Sequence, residues 1–397
     1  MTESWRRAID KGKTVGVLFI DFKKAFDTVS HPVLLKKLSA HGISGSFHEY
    51  LNRYLSNRTQ YTVLNETTSD VENVSYGVPQ GSLAGPSLFA TNVNDMNDNV
   101  DTDLDLLADD STSHTTGDTV EVVLEKLQNA LNQLKNYSDR NSLTIHPDKC
   151  KILILSKSPF IGPLQNVTLE GISIEIVYST KCLGITIDNR LSWDTHTLKV
   201  SQSFSKKLKN LYKMKTMSQK TLSTIYFQGI LPSVIYGILI WGNCAPNLMS
   251  SIEKIHIRAA RFIHHVKDSV PDNNVLEVAN WKPIIHYYKR NLACKTYKIY
   301  NNLSSPLLNI FIKKSCTTRS TRNSLRLDLP SFKYVNYKRS FNYRAANVWN
   351  NLPVEIRNKP SFAQFKLALK KSNSLDMINF GTNQTGKALH YKDFIYY

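Results

Sequence analysis

The apolar positions of this chain follow two periodicities, one of strands and one of helices. Val15–Ile20 is a continuous apolar run that ends at Asp21, and such a run predicts a buried strand that delivers a carboxylate at its end. Asp118–Arg140 instead repeats apolar side chains at helical spacing. We predict an amphipathic helix there that closes one face of a sheet. Its inward positions are Val122, Leu124, Leu127, Leu131 and Leu134.

A second strand pattern ends in two acidic residues. Residues 104–113 predict a hairpin with Asp109 and Asp110 at its tip. Neighbouring residues of a regular strand point to opposite faces, so adjacent carboxylates serve one site more readily where the chain turns. An isolated Asp-Asp pair more often lies in a solvated turn, and a single Asp after an apolar strand often caps a helix. Here the helix after the first strand has its own start signals, Ser30 as N-cap and Pro32 in the first turn.

The segment between the two acidic sites is a loop rich in Gly and Pro. Gly77–Pro86 reads Gly-Val-Pro-Gln-Gly-Ser-Leu-Ala-Gly-Pro, which in isolation indicates only a surface turn. Its place between two distant carboxylate sites matches the layout of a two-metal nucleotidyl transferase. Such enzymes hold two Mg²⁺ ions roughly 3.5–4 Å apart, one at the primer 3′-hydroxyl and one at the triphosphate. Hard cations of this kind prefer carboxylate oxygens.

Five segments resemble the motifs of one polymerase family, the reverse transcriptases of non-LTR (LINE-type) retrotransposons. Phe19–Asp27, which reads Phe-Ile-Asp-Phe-Lys-Lys-Ala-Phe-Asp, resembles the first motif, and Gly77–Pro86 resembles the Gly-Val-Pro-Gln-Gly motif. Leu107–Asp110 resembles the Ala-Asp-Asp box. Leu143–Lys151 is similar to the motif that follows, and Lys181–Asp188 is similar to the start of the thumb. The resemblance runs in order to about residue 200 and is weaker beyond it.

The chain also departs from the family pattern. Leu107 stands where the family has an aromatic residue before Ala-Asp-Asp, His146 stands in place of an Asn, and Cys150 in place of a Thr. Met1–Thr14 is too short for the fingers region that precedes the first motif in the family, and no endonuclease precedes the polymerase. The resemblance therefore predicts an N-terminally truncated copy.

The resemblance implies roles for four charged side chains. Asp21 and Asp109 would bind both metal ions with Asp110 in support, and the expected cofactor is two Mg²⁺ ions. Lys149 would lie near the departing pyrophosphate and act as a general acid. Because the motif around Lys149 is degraded, an exposed lysine without a catalytic role is an equal alternative.

Five further residues would lie at the incoming nucleotide. Phe26 resembles the family's steric gate, a ring under the sugar that clashes with a 2′-hydroxyl, and the alternative is a core aromatic. Gln80 would reach the sugar, and Gly81 would allow close approach because it has no Cβ. Phe22 would have its backbone beside the metals and its side chain in the core. Ala25 is small where the backbone must come near phosphate.

The formal net charge of +18 comes entirely from the second part of the chain. Residues 1–150 contain 14 Lys/Arg and 20 Asp/Glu, whereas residues 151–397 contain 36 and 12. The basic part can neutralise nucleic-acid phosphates. Within it, residues 319–344 interleave Arg and Lys with Phe and Tyr, which fits base stacking and a small helical core equally well.

A lysine-rich helix is the strongest candidate for a nucleic-acid contact. Phe204, Leu208 and Leu211 recur at helical spacing, with lysines on the remaining arc. This suits a thumb helix along a duplex backbone, and a solvated basic face is the alternative. The candidate nucleic-acid-binding residues are Lys206, Lys207, Lys209 and Lys213.

Together these elements predict an α+β fold. A right-hand polymerase palm, an antiparallel sheet with helices, is followed by a helical thumb and a basic, mostly helical C-terminal module. We expect the palm with residual fingers at residues 1–165, the thumb at 166–265 and the module at 266–397. Five widely spaced cysteines favour reduced thiols and an intracellular location. The longest apolar stretch, Gly229–Gly242, is too short to span a bilayer, so no membrane partner is predicted.

Two functions remain open. The first is an RNA-directed DNA polymerase that uses an RNA template, a DNA primer and dNTPs, with no protein partner predicted. The second is a catalytically inactive remnant or a co-opted nucleic-acid-binding protein. Leu107 and the short N-terminal segment favour the second function, while the intact Asp21, Gln80, Asp109 and Asp110 oppose it. The isolated chain is expected to bind nucleic acid better than it polymerises.

Overall fold

The computed structural model describes residues 1–157, 165–311, 325–378 and 380. The chain divides into two compact units, Met1–Ser192 and Trp193–Tyr397. The first unit thus continues beyond the expected palm boundary at residue 165. The expected domain boundaries stay predictions.

The first unit combines helices with a five-stranded sheet and four two-stranded sheets. Its helices are α1 (Thr2–Asp10), α2 (His31–Ala40), α3 (Gly45–Leu55), α4 (Gly85–Val93) and α5 (Val120–Arg140). Its strands are β1 (Thr14–Ile20), β2 (Arg58–Gln60), β3 (Val63–Leu64), β4 (Thr67–Thr68), β5 (Glu72–Val74), β6 (Asp103–Leu107), β7 (Asp110–Gly117), β8 (Lys151–Leu155), β9 (Thr168–Leu169), β10 (Ile172–Ser173), β11 (Glu175–Val177), β12 (Ser179–Cys182) and β13 (Ile185–Asp188).

The main sheet has the strand order β11-β8-β1-β7-β6. The predicted apolar strand is confirmed as β1, the central strand, and burial on both faces explains its unbroken run of apolar residues. β1 pairs antiparallel with β7 and β8, and β6 pairs antiparallel with β7. β11 pairs parallel with β8. The sheet is therefore mixed, which corrects the prediction of an antiparallel sheet.

Helix α5 covers one face of this sheet, as predicted. The Thr119 hydroxyl accepts a hydrogen bond from the Val122 backbone N–H and caps the helix start. The predicted inward positions from Leu124 to Leu134 are buried, but Val122 is 39% exposed. Val123, which is fully buried, faces the sheet instead. The prediction for Val122 was wrong because Val123, four residues before Leu127, continues the buried i, i+4 series, whereas Val122 lies to one side of it.

The second unit is helical in its described part. Its helices are α6 (Asp194–Tyr212), α7 (Gln219–Ile225), α8 (Leu231–Val234), α9 (Ile238–Trp241), α10 (Pro246–Ile263), α11 (Asp272–Val278), α12 (Ile284–Tyr300), α13 (Phe341–Asn351), α14 (Val354–Arg357) and α15 (Phe362–Lys371). An aromatic cluster forms part of its core, with the rings of Tyr226 and Trp281 stacked at 4.7 Å. The Tyr226 hydroxyl hydrogen-bonds to Nδ1 of the buried His256.

The described residues also bear on the Arg/Tyr-rich segment, the cysteines and the expected lack of a membrane span. Arg319 and Arg322 of the Arg/Tyr-rich segment lie outside them, while Tyr337 is buried, so this segment contributes in part to a core. Four cysteines carry free thiols, and Cys316 lies outside the described residues. Among the helices that the structure describes, none is long and apolar enough to cross a bilayer.

Val123 of helix α5 packs directly against Gly16 of β1. A Cβ atom built on Gly16 would lie 2.2 Å from Cγ1 of Val123. We predict that Gly16→Ala lowers the free energy of unfolding by about 1–3 kcal/mol, because the added methyl group overpacks this contact. Urea denaturation measures the change.

The matched control is the double variant with Val123→Ala. Removing the Val123 methyl groups opens the space, so the two substitutions should show a favourable coupling energy. A cycle in which the two stability losses simply add would contradict the proposed contact.

Candidate active site

Three carboxylates lie where β1 ends and its antiparallel neighbour β7 begins. β1 and β7 pair with Ile20 opposite Ser111, so the next opposing positions are Asp21 and Asp110. Residues directly opposed in an antiparallel pair share a face, with Cβ atoms about 4.5–5.5 Å apart. Asp109 occupies the two-residue turn between β6 and β7. The predicted hairpin with both acids at its tip is confirmed.

The electrostatics of Asp110 reflect this crowding. Burial raises the pKa of the Asp110 carboxyl above its usual range, and the negative charges of Asp109 and Asp21 raise it further. The three carboxylates therefore interact with one another. A bound cation would relieve their mutual repulsion, so the arrangement favours one.

Lys149 lies beside the same cluster because a backbone hydrogen bond holds its segment against the end of β1. The His146 N–H donates a hydrogen bond of 2.8 Å to the Asp21 carbonyl, so the chain before Lys149 runs beside the end of β1. A short 3₁₀ turn, Pro147–Lys149, follows. It brings Nζ of Lys149 to 3.4 Å from Oδ2 of Asp21, with the lysine side chain still exposed.

The donor set fits a divalent cation. Oδ2 of Asp21 is buried and makes no hydrogen bond, although the Lys149 ammonium lies within ion-pair distance. Within the described part of the chain, no three His, Cys, Asp or Glu side chains form a ready-made metal site. The carboxylates would have to turn toward one another around the ion, which mutual repulsion opposes when no cation is bound. All three supply the oxygen ligands that hard cations prefer.

The Gly/Pro loop is tied to the segment that follows Asp21. The backbone N–H groups of Gly77 and Val78 donate hydrogen bonds of 2.8 Å to the carbonyls of Val29 and Phe26. The ring Nε2 of the buried His31 lies 2.8 Å from the Gly77 carbonyl, where it acts as the donor. These three bonds hold the first and second motifs together.

A glycine is required at the start of this loop. Gly77 has a φ of +87°, and a Cβ there would lie 2.8 Å from the Asp27 carbonyl oxygen. Gln80 and Gly81, the predicted nucleotide contacts, are both exposed, and Gly81 also has a positive φ of +80°. Their contacts with a nucleotide stay predictions.

Phe26 packs against a second aromatic ring, Phe89, which the sequence did not lead us to expect. Its half-buried ring stacks on Phe89 of α4, with centroids 4.6 Å apart and planes at 20°. Phe89 is fully buried. The signal that could have revealed it was an apolar position one helical turn beyond the Gly-Pro start of α4. Phe22 and Ala25 are buried, which confirms the expected core position of the Phe22 side chain. The place of Ala25 beside phosphate stays a prediction.

The four candidate lysines belong to the second unit. Phe204, Leu208 and Leu211 form the buried face of α6, which confirms the predicted periodicity. The exposed lysines are Lys206, Lys209 and Lys213. Lys207 differs from them, because it is half-buried and its Nζ donates a hydrogen bond to Oγ of Ser233.

Comparison with known proteins shows which family part of this chain matches. Residues 3–187 match the family described as reverse transcriptase (RNA-dependent DNA polymerase). The chain is 26% identical over 260 residues to the RNA-directed DNA polymerase from mobile element jockey of Drosophila melanogaster, covering 62% of this chain and 28% of that protein. It is 27% identical over 279 residues to the probable RNA-directed DNA polymerase from transposon BS of the same species, covering 66% and 30%.

The chain thus spans less than a third of the length of these relatives. Among solved structures, telomerase from Candida albicans aligns over 71% of this chain and 54% of its own, with 12% identity and a TM-score of 0.37. On the sequence comparisons, the chain carries a reverse transcriptase domain at residues 3–187 and is similar to the polymerases of LINE-type non-LTR elements. The resemblance seen in its motifs is confirmed.

Proposed function

We propose that this chain is an RNA-directed DNA polymerase that adds nucleotides from dNTPs to a DNA primer on an RNA template. The observation that supports it best is the register of β1 and β7, which brings Asp21 opposite Asp110 with Asp109 in the adjoining turn. Reverse transcriptases use divalent metal ions. The carboxylate cluster supplies the ligands for them.

In this proposal Asp21, Asp109 and Asp110 hold two Mg²⁺ ions. When bound, the ions would lower the pKa of the primer 3′-hydroxyl and neutralise the triphosphate. Lys149 balances the Asp21 carboxylate until a metal ion takes its place, because an ammonium group and a cation compete for the same oxygen. Lys149 is then free to donate a proton to the departing pyrophosphate.

The remaining residues position the nucleotide. Phe26, backed by Phe89, presents a rigid ring to the sugar, and the loop hydrogen bonds hold Gln80 and Gly81 in the same region of the chain as Phe26. Ala25 and the backbone of Phe22 border the site. The palm at residues 1–165 would do this chemistry, while a thumb at 166–265 and a C-terminal module at 266–397 would contact nucleic acid.

The metal cluster is tested by an isosteric change. Asp109→Asn should reduce Mg²⁺-dependent extension of oligo(dT) on poly(rA) by more than about 100-fold, because it removes charge that acts in the transition state. Affinity for an RNA–DNA hybrid should stay equal or rise slightly, since a negative charge is lost. Calorimetry of Mg²⁺ binding measures the metal site without the reaction.

Asp98→Asn is the matched control, because Asp98 is an exposed carboxylate outside the cluster. It should leave both extension and Mg²⁺ binding unchanged. Extension by the Asp109 variant at the wild-type rate would refute the assignment. Tight hybrid binding with neither Mg²⁺ binding nor extension in the wild-type chain would favour the co-opted binding protein instead.

The sugar gate makes a separate prediction. Phe26→Ala should raise incorporation of ribonucleotides relative to deoxyribonucleotides, because the ring that would clash with the 2′-hydroxyl is gone. The measurement is the ratio of kcat/KM for the two substrates. Phe47→Ala, at an exposed phenylalanine of α3, is the control. Unchanged discrimination in an active Phe26 variant would assign this ring to the core.

The lysines of α6 predict a salt dependence. Changing Lys206, Lys209 and Lys213 to Gln should weaken duplex binding and flatten the slope of log affinity against log salt by up to ~0.9 for each lysine. Lys207→Gln should change the slope less, because its ammonium group is already engaged by Ser233. Equal effects at all four positions would contradict the described orientation of α6.

A further inference from the structure

Helices α12 and α15 present a second group of cations. Arg290, Cys294 and Lys298 follow one another at intervals of four residues on α12, so they line one face of that helix. Lys366 of the neighbouring helix α15 lies close to Lys298, because both face the ring of Phe362. The ammonium nitrogens of Lys298 and Lys366 lie 4.6 and 5.7 Å from the centre of the Phe362 ring. We call Arg290, Lys298 and Lys366 the α12–α15 basic face.

The three cations surround the half-buried thiol of Cys294. Burial raises the pKa of Cys294, while the positive charges of Arg290, Lys366 and Lys298 act in the opposite direction. All three cations therefore lie within electrostatic range of one sulfur atom. The face is a geometric cluster rather than a run of basic sequence, because its members come from two helices far apart in the chain.

Ion pairs neutralise several cations of the molecule, but none neutralises this cluster. Lys13, Arg53, Lys135 and Lys282 are each ion-paired with an Asp or Glu. No carboxylate of the described residues forms an ion pair with Arg290, Lys298 or Lys366. Like charges held together repel, and an external anion would relieve that repulsion.

We propose that the α12–α15 basic face binds the phosphodiester backbone of a nucleic-acid strand, as a site separate from the α6 lysines. The Phe362 ring already faces two ammonium groups, those of Lys298 and Lys366. The contact is therefore made by charge and not by base stacking, and it is independent of base sequence. It does not require polymerase activity.

The test replaces the three cations in the full chain. The variant Arg290→Gln, Lys298→Gln, Lys366→Gln is compared with a control that loses the same charge at ion-paired positions, Lys13→Gln, Arg53→Gln, Lys135→Gln. Fluorescence anisotropy with a single-stranded RNA and a DNA of the same length, across a KCl series, gives the salt slope. The basic-face variant should lose up to ~0.7 of slope per cation, and the control should keep the wild-type slope.

Two further measurements keep the result interpretable. The melting temperature of the basic-face variant should stay close to that of the wild type, since the removed repulsion offsets the lost contacts of Lys298 and Lys366 with Phe362. In the wild-type chain, saturating RNA or DNA should slow alkylation of Cys294 by a maleimide, as mapped by mass spectrometry. Protection by RNA alone would restrict the ligand to RNA, and protection by DNA alone would restrict it to DNA.

Three outcomes would overturn the proposal. The first is a wild-type salt slope in a folded basic-face variant. The second is an equal loss of slope in the control, which would show a general charge effect. The third is Cys294 alkylation that neither nucleic acid slows, a result that holds even where the variant does not fold. Loss of extension in Asp109→Asn bears only on the polymerase, so the two proposals fail independently.

Discussion

The antiparallel pairing of β1 with β7 is the constraint on which the candidate active site depends. Side chains alternate between faces along a strand, so a slip of one residue would turn Asp21 away from Asp110. The register is held because one face of β1 packs against α5. At Gly16 this packing leaves no room for a side chain, so a residue with a Cβ cannot take that position. The packing of the sheet thus sets the geometry of the carboxylates.

Charge is distributed to complement this arrangement. In the first unit three carboxylates lie close together, and the exposed Lys149 pairs with Asp21 in a contact that solvent weakens. Most of the positive charge lies in the basic second part of the chain. An acidic cluster suited to cations and a basic helical unit suited to phosphates are both consistent with the proposed polymerase function.

The sequence predicted the local elements well where one signal dominated. The unbroken apolar run before Asp21 is the central strand, and the Ala-Asp-Asp segment is a hairpin turn. Prediction failed where two signals competed. Two adjacent valines compete for the inner face of α5, and Val123 is the buried one because it lies one helical turn before Leu127. The parallel pairing of β11 could not be predicted, because the alternation over Ile172, Ile174 and Ile176 indicates a strand but not its partner or direction.

By itself the sequence determined which chemical groups are present and in what order, and this was enough to identify the reverse transcriptase motifs. Only the tertiary structure decided which groups meet. The approach of Lys149 to Asp21, the stacking of Phe26 on Phe89 and the convergence of Arg290, Lys298 and Lys366 all join distant segments. Such contacts depend on how helices and strands pack, and packing reflects the shapes of many side chains at once rather than the period of any one segment.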